Sequence, residues 1–254
     1  MNKSETKIRL DQLLLQRGLV PSRERAQALV IEGKVLVDGQ KIIKSGTSVA
    51  LESEIRLLGE DLKYVSRGGL KLARALDYLK IDVDGKTCLD VGASTGGFTD
   101  CLLQNGARHV IAVDTGHGQI AMKLRQDPRV RLLEKTNARY LTREQLGETV
   151  DLIVMDVSFI SATIVLPSVF AAAFPSEAAD RAGRALIVLV KPQFEAGREN
   201  VGKGGIVRDP KTQQQAVDRV RDAVTALGVT TINVIESPIQ GAEGNREFLL
   251  YARY

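Results

Sequence analysis

The sequence contains no long apolar run. Across its 254 residues there is no stretch of about 18 consecutive apolar residues, and no charged segment followed by an apolar one near the start. We therefore expect neither a membrane span nor a signal peptide, and a cytoplasmic location. With 44% hydrophobic residues the chain can bury a full core and is long enough for one large and one small domain.

Cysteine and aromatic residues are scarce. The two cysteines, Cys88 and Cys101, belong to no C-x-x-C or Cys/His cluster, so the sequence predicts no metal site. Both are interpreted as buried, reduced thiols. Aromatic residues make up only 4% of the chain, and no string of stacking aromatics is evident.

The positive charge is unevenly distributed. Residues 1–80 contain 15 Lys and Arg against 10 Asp and Glu, whereas the rest of the chain is almost neutral. Because Lys and Arg gain affinity for nucleic acids by neutralising phosphates, this asymmetry favours an N-terminal nucleic-acid-binding segment joined to a near-neutral body. A solvated basic face is the alternative.

A glycine-rich loop, D-V-G-A-S-T-G-G-F at residues 90–98, lies between a strand-like and a helix-like segment. Glycines let the backbone turn tightly and approach a ligand closely, and the helix start offers free N–H groups. The spacing differs from the G-x-G-x-x-G of dinucleotide sites, and a carboxylate at Asp90 suits the ammonium group of S-adenosylmethionine. We predict that this ligand is held by Asp90, Gly92, Ala93, Ser94, Thr95, Gly96, Gly97 and Phe98.

Polar residues follow several apolar, strand-like runs, which alternate with helical segments at 119–124, 161–174 and 211–227. This pattern predicts a parallel sheet covered on both faces, with ligands beyond the C-terminal strand ends. Asp114, Asn137 and Asp156 follow three of these strands and are further predicted cofactor contacts. Asp114 would accept hydrogen bonds from ribose hydroxyls, and Asn137 would contact the adenine. Ordinary turn and loop roles for Asp114 and Asn137 are the alternatives.

Two further strands flank residues 237–246 near the end of the chain. They favour a reversed final hairpin, which distinguishes methyltransferase sheets from dehydrogenase sheets. The predicted fold class is therefore α/β, with a Rossmann-like methyltransferase sheet.

The N-terminal segment combines two short helices with a hairpin at Asp38-Gly39. The pattern R-L-D-x-L-L, then S-R-x-x-A, then G-x-V-x-V-x-G, resembles the S4 RNA-binding domain over about residues 8–58. The resemblance implies a small α+β domain that recognises folded RNA by shape and phosphates. We predict RNA contacts at Arg9, Arg17, Arg23, Arg25, Lys34, Lys41 and, in the following junction, Arg67. A small protein-interaction domain is the alternative.

The order of motifs K-Y-V-S-R-G-G-L-K-L, D-V-G-A-S-T-G-G-F-T-D, V-M-D-V-S-F-I-S, V-K-P-Q-F-E and G-N-R-E-F is similar to that of the TlyA family. This resemblance runs nearly end to end and implies 2′-O-methylation of cytidine in ribosomal RNA. Four residues resemble the Lys-Asp-Lys-Glu tetrad of FtsJ-like ribose methyltransferases, which implies a catalytic role for Lys71, Asp156, Lys191 and Glu247. Tyr64 stands where some family members have tryptophan.

We expect an S4-like domain at residues 1–59, a linker at 60–66 and a methyltransferase domain at 67–254. The expected partner is ribosomal RNA or a ribosomal subunit, with no membrane partner and a monomeric chain. The alternative function is a non-catalytic ribosome-assembly factor that retains the methyltransferase fold. Amino-methylating and cytosine C5 enzymes are disfavoured, because two prolines are missing after Asp156 and neither cysteine ends a strand. A membrane-lytic protein is disfavoured because no amphipathic or spanning segment is evident.

Overall fold

The computed structural model describes residues 7–20, 22–58, 63–174, 177–229, 231–241 and 243–254. The chain forms two compact units, Met1–Asp61 and Leu62–Tyr254. The expected linker at residues 60–66 overlaps residues 59–62, which lie outside the described residues.

The described residues of the first unit form two helices and five short strands. These are β1 (Lys7–Arg9), α1 (Leu10–Gln16), α2 (Arg23–Ile31), β2 (Val35–Val37), β3 (Gln40–Ile42), β4 (Ser48–Ala50) and β5 (Ile55–Leu57). The strands form two antiparallel sheets, β1-β4 and β3-β2-β5. Leucine and valine side chains from α1, α2 and β2 fill the space between these elements.

Local sequence signals explain these elements. Ser22 accepts a hydrogen bond from the backbone N–H of Arg25 and so caps α2. Asp38 and Gly39 both have positive φ, 50° and 79°, as a two-residue hairpin turn between β2 and β3 requires. The predicted hairpin is therefore present.

The second unit is the larger one. It contains α3 (Gly68–Tyr78), β6 (Thr87–Val91), α4 (Gly97–Gln104), β7 (His109–Val113), α5 (Met122–Arg125), β8 (Val130–Leu133), α6 (Arg143–Leu146), β9 (Leu152–Met155), α7 (Ala162–Ala173), β10 (Ala185–Val190), α8 (Pro192–Glu195), α9 (Pro210–Thr225), β11 (Thr231–Glu236) and β12 (Phe248–Arg253). Short 3₁₀ turns lie at Ala138–Tyr140, Ala178–Arg181 and Arg198–Asn200.

Its seven strands form one sheet in the order β11-β12-β10-β9-β6-β7-β8. Strand β12 is antiparallel to both of its neighbours, and the other pairings are parallel. The predicted reversed final hairpin is thus observed. All the loops that follow parallel strands, together with the start of β12, lie along one edge of the sheet, which is called the catalytic edge below.

Side chains that alternate along each strand enter two separate apolar cores. On one face Leu89, Ile153 and Val188 belong to the core that contains α7 and α9 residues. On the other face Cys88 and Val154 belong to the core that contains α3 and α4 residues. The sheet is therefore buried on both sides, which confirms the predicted α/β class. Within the described ranges, no helix combines the length and apolar character needed to cross a bilayer.

Candidate active site

The glycine loop between β6 and α4 packs too closely against its surroundings for side chains at two positions. Gly92 has φ 85°, and a Cβ there would collide with the backbone carbonyl oxygen of Asp156. Gly96 has φ 93°, and a Cβ there would collide with the side chain of Leu124 of α5. The loop therefore needs glycine for both conformation and close approach.

Asp90, near the end of β6, lies completely buried beneath this loop. One carboxylate oxygen accepts a hydrogen bond from the Thr99 hydroxyl at 2.6 Å, and the other has no hydrogen-bond partner. Burial, reinforced by the negative charges of Asp156 and Asp114, raises the pKa of Asp90 to about 7. A buried carboxylate oxygen without a partner is suited to a cationic or N–H-donating ligand group.

A cavity of about 300 Å³ opens beside the loop at the catalytic edge. Its lining includes five of the predicted cofactor residues: Gly92, Ser94, Asp114, Asn137 and Asp156. Asp114 accepts hydrogen bonds from the backbone N–H groups of Ser94 at 2.8 Å and Gly116 at 2.6 Å. Its carboxylate thus fixes the loops that form the wall.

The remaining residues of the predicted cofactor loop have other neighbours. Ala93 and Phe98 are buried in the core beside α3 and α4. The carbonyl of Thr95 accepts a hydrogen bond from Ala121, and a Cβ on Gly97 would collide with the Ser66 hydroxyl. These residues support the loop on the side away from the cavity and do not line the cavity.

Lys191 and Asp156 form an ion pair next to this cavity. The Lys191 ammonium lies 2.6 Å from the Asp156 carboxylate and donates a hydrogen bond of 2.7 Å to the Ser158 hydroxyl. Asp156 directly follows β9 and Lys191 directly follows the neighbouring β10, so their proximity is a result of the parallel pairing. Lys191 is 9% exposed, which leaves it within reach of a ligand at the edge.

Lys71 and Glu247 form a second, more enclosed ion pair. Their charged atoms are 2.5 Å apart, and the side chains are 10% and 2% exposed. Lys71 lies in the first turn of α3, a position that the helix dipole disfavours for a cation. The partner carboxylate of Glu247 compensates for this unfavourable placement.

The sheet register brings the two pairs together. Val190 of β10 is paired with Phe248 of the antiparallel β12, so Lys191, the next residue after Val190, and Glu247, the residue before Phe248, are opposite each other just beyond that pair. Directly opposed residues have Cβ atoms about 5 Å apart. All four predicted catalytic residues therefore belong to one polar cluster, called the tetrad below, at the catalytic edge.

Two residues of this region escaped the sequence analysis. Ser158 orients Lys191, and Glu195, which is 2% exposed, accepts hydrogen bonds from the Ser161 hydroxyl at 2.5 Å and the Ala162 N–H at 2.7 Å. Glu195 therefore connects the segment after Lys191 to the start of α7. Burial raises the pKa of Glu195. The signal available in the sequence was an acid four residues after Lys191, one helical turn away.

The predicted RNA-binding residues of the first unit have different environments. Arg9 and Arg23 form ion pairs with the fully buried Asp11 at 2.9 and 3.0 Å, and Arg17 donates to the backbone carbonyls of Ser53 and Leu51. Lys34 pairs with Glu32 at 2.9 Å. Arg25 and Lys41 also belong to this unit, and Arg67, in the second unit, is exposed just before α3. Arg9, Arg17 and Arg23 thus stabilise the unit itself as well as contributing to its charge.

Both cysteines are buried free thiols, and burial raises the pKa of Cys88 to about 12 and that of Cys101 to about 11. Such thiols are poor nucleophiles at neutral pH. In the part of the chain that the structure describes, no group of three or more His, Cys, Asp or Glu side chains is placed to hold a metal ion.

Comparison with known proteins gives matches over both units. A family described as FtsJ-like methyltransferase matches residues 64–254, and the S4 domain family matches residues 8–55. A Mycobacterium tuberculosis protein named 16S/23S rRNA (cytidine-2′-O)-methyltransferase TlyA is 46% identical over 96% of this chain and 89% of its own length. Hemolysin A of Brachyspira hyodysenteriae is 40% identical over 96% of this chain and 99% of its own. A solved structure from Streptococcus thermophilus, described as a "putative hemolysin", is 40% identical, has a TM-score of 0.74, and covers 98% of this chain and 89% of its own.

Proposed function

Because the chain belongs to the FtsJ-like methyltransferase family and carries an S4 domain, we propose that it methylates the ribose 2′-hydroxyl of cytidine in ribosomal RNA with S-adenosylmethionine as donor. The M. tuberculosis relative has that activity in its name. The observation that carries the proposal is the tetrad, in which two ion pairs lie beside a glycine-walled cavity. A ribosomal substrate also agrees with the cytoplasmic location expected from the sequence.

The cavity fits the donor by the chemistry of its walls. Asp90 is buried directly before Val91 and Gly92, which line the cavity, and its unpartnered oxygen would suit the donor's ammonium group. Asp114, which lines the cavity, would also accept hydrogen bonds from ribose hydroxyls, and the amide of Asn137 would face the adenine edge. Bound there, S-adenosylmethionine supplies an electrophilic methyl group.

The tetrad provides what the acceptor needs. A ribose hydroxyl is a weak nucleophile whose proton must leave as the oxygen attacks, so a positioned basic or hydrogen-bonding group accelerates the reaction. We assign this role to Lys191, which Asp156 and Ser158 hold at the cavity. Lys71 and Glu247 fix the opposite side of the acceptor position. Holding acceptor and donor at attack distance is itself a large part of catalysis.

The S4 domain supports an RNA substrate in place of a small molecule. It would supply affinity through shape and phosphate contacts, while the tetrad acts on the ribose. This division explains why the enzyme needs no row of stacking aromatics in its N-terminal unit.

The proposal is tested by transfer of a labelled methyl group from S-adenosylmethionine to purified ribosomal subunits. The wild type should label RNA, and the label should be recovered as 2′-O-methylcytidine after digestion. Lys191→Ala should reduce kcat by roughly a hundredfold or more, because positioned acid–base groups contribute at least that much. Lys86→Ala, a lysine at the opposite edge of the sheet, serves as the matched control and should keep wild-type activity.

Two results would contradict the proposal. Full activity in Lys191→Ala would remove Lys191 from the mechanism. An inactive wild type that still binds ribosomal RNA would replace the enzymatic function with that of an assembly factor.

A further inference from the structure

The connection between α8 and α9 is long and structured. It spans residues 196–209, whereas connections between secondary-structure elements in compact domains have a median length of about 4–6 residues. Its middle forms a small hairpin, in which Gly202 pairs with Ile206 and the N–H of Gly205 bonds to the carbonyl of Gly202 at 3.1 Å. Residues 198–208 are called the basic hairpin below.

The basic hairpin carries cationic side chains that take no part in the ion pairs and hydrogen bonds described for the fold. Arg198, Lys203 and Arg208 are exposed, and within the described ranges none of their side chains has an ion-pair or hydrogen-bond partner. Glu199 and, beside Gly205, Glu243 are the nearby acids. Asp209 is occupied in capping α9, where it accepts hydrogen bonds from Lys211 and Thr212. The hairpin tip at Lys203 therefore carries an accessible positive charge.

A buried asparagine holds the basic hairpin in place. Asn245, which is 1% exposed, accepts a hydrogen bond from the Val207 N–H at 2.9 Å and donates one to the Gly205 carbonyl at 2.8 Å. Gln213 of α9 donates a third bond, of 2.8 Å, to the Val207 carbonyl. Because buried polar groups that lose their hydrogen-bond partners destabilise the folded state, these bonds fix the hairpin relative to Asn245.

Asn245 also couples this hairpin to the tetrad. It precedes Glu247 by two residues, and its own carbonyl accepts a hydrogen bond from Gly241, which lies against the Glu247 carboxylate. The basic hairpin starts after Lys191 and ends at α9, so it also lies at the catalytic edge. In the sheet order, the cavity is on the β6–β7–β9 side of the tetrad and the hairpin is on the β10–β12 side.

This arrangement favours one path for the RNA that carries the target ribose. With the proposed function, the methyl donor would occupy the cavity on one side of the tetrad, which leaves the β10–β12 side for the RNA that continues beyond a ribose at Lys191. We propose that the basic hairpin binds the phosphates flanking the target ribose, through Lys203 and Arg208, and that Asn245 positions it for this purpose. The inference rests on the proposed RNA substrate and assigns part of its recognition to the methyltransferase unit.

The test uses the full chain and measures its affinity for ribosomal RNA at several salt concentrations, together with kcat and KM for methyl transfer. The variant is Lys203→Glu with Arg208→Glu, and the control is Lys86→Glu, which introduces a reversed charge at the opposite sheet edge. Losing two phosphate contacts should lower the slope of log affinity against log salt by about two. Charged hydrogen bonds are worth enough that KM should rise by about tenfold or more, with kcat within about twofold of wild type.

Asn245→Ala gives a second, independent readout. It keeps every cation but releases the hairpin, so trypsin should cleave after Lys203 or Arg208 faster than in the wild type, and KM should rise. Unchanged affinity and salt slope in the charge-reversed variant would overturn the hairpin proposal. RNA binding is measured without methyl transfer, so failure of the hairpin proposal can be distinguished from failure of the proposed function. A wild type that transfers no methyl group would overturn the proposed function alone.

Discussion

Asp90 should make the stability of this protein fall as the pH rises from 5 to 8. Its carboxylate is completely buried, one oxygen has no partner, and burial raises its pKa to about 7, against an ordinary value of 3.8. The folded state therefore binds this proton more tightly than the unfolded state does. The resulting stabilisation is fully present below about pH 4 and is lost as the pH rises through 7.

The magnitude follows from the two pKa values. Each pKa unit corresponds to about 1.4 kcal/mol, and between pH 5 and pH 8 the folded state would release a proton that the unfolded chain has already lost. The free energy of unfolding should fall by about 2.5 kcal/mol over this interval because of Asp90 alone. Asp90→Asn removes this titration and keeps the shape of the side chain and its bond with Thr99.

The measurement is urea unfolding of wild type and Asp90→Asn at pH 5, 6, 7 and 8. Other titrating groups are common to both proteins, so the difference between the two curves isolates Asp90. Asp222→Asn, at an exposed position of α9, controls for the change in net charge. If wild type and Asp90→Asn lost the same stability between pH 5 and pH 8, Asp90 would not titrate as argued.

Two further substitutions test how the site is built. Gly92→Ala should abolish binding of S-adenosylmethionine in calorimetric titration and lower the thermal midpoint, because the new Cβ collides with the Asp156 carbonyl at a φ of 85°; binding of wild-type strength would show that the loop can move aside. Glu195→Ala should reduce stability by about 1–3 kcal/mol and lower kcat, because Ser161 and Ala162 lose their buried acceptor. Glu195→Gln, which keeps an acceptor oxygen, should restore much of both, and equal losses in the two variants would contradict this role.

The sequence predicted the positions of the polar residues at the sheet edge because strand ends can be recognised from apolar runs. Asp156 and Lys191 follow such runs directly, and parallel strands bring their ends together. The sequence could not assign partners, since pairing Lys71 with Glu247 depends on how α3 packs against β12. Ser158 and Glu195 were missed because their importance lies in hydrogen bonds to other segments. The acid four residues after Lys191 is visible in the sequence, but its hydrogen-bond partners are not.

Side-chain direction limited the interpretation of the N-terminal unit for a similar reason. Arg9 and Arg23 were predicted to contact RNA from the basic charge and the S4 resemblance, yet both also converge on the buried Asp11. A hydrogen bond from Arg9 is the largest cause that holds the pKa of Asp11 well below its usual range.

In the second unit, the predicted helix at 119–124 is displaced to Met122–Arg125. The reason is that the Ala121 N–H donates a hydrogen bond to the carbonyl of Thr95 and not to a carbonyl within a helix.

The antiparallel placement of β12 has a consequence for the order of folding. Strand β11 is made before β12 but reaches the sheet only through it, so β11 has no strand partner until the later segment has inserted beside β10. The same insertion delivers Glu247 to Lys71, 176 positions away in the chain. The pairing that completes the sheet therefore also completes the tetrad, so an assembled site requires the fully formed sheet.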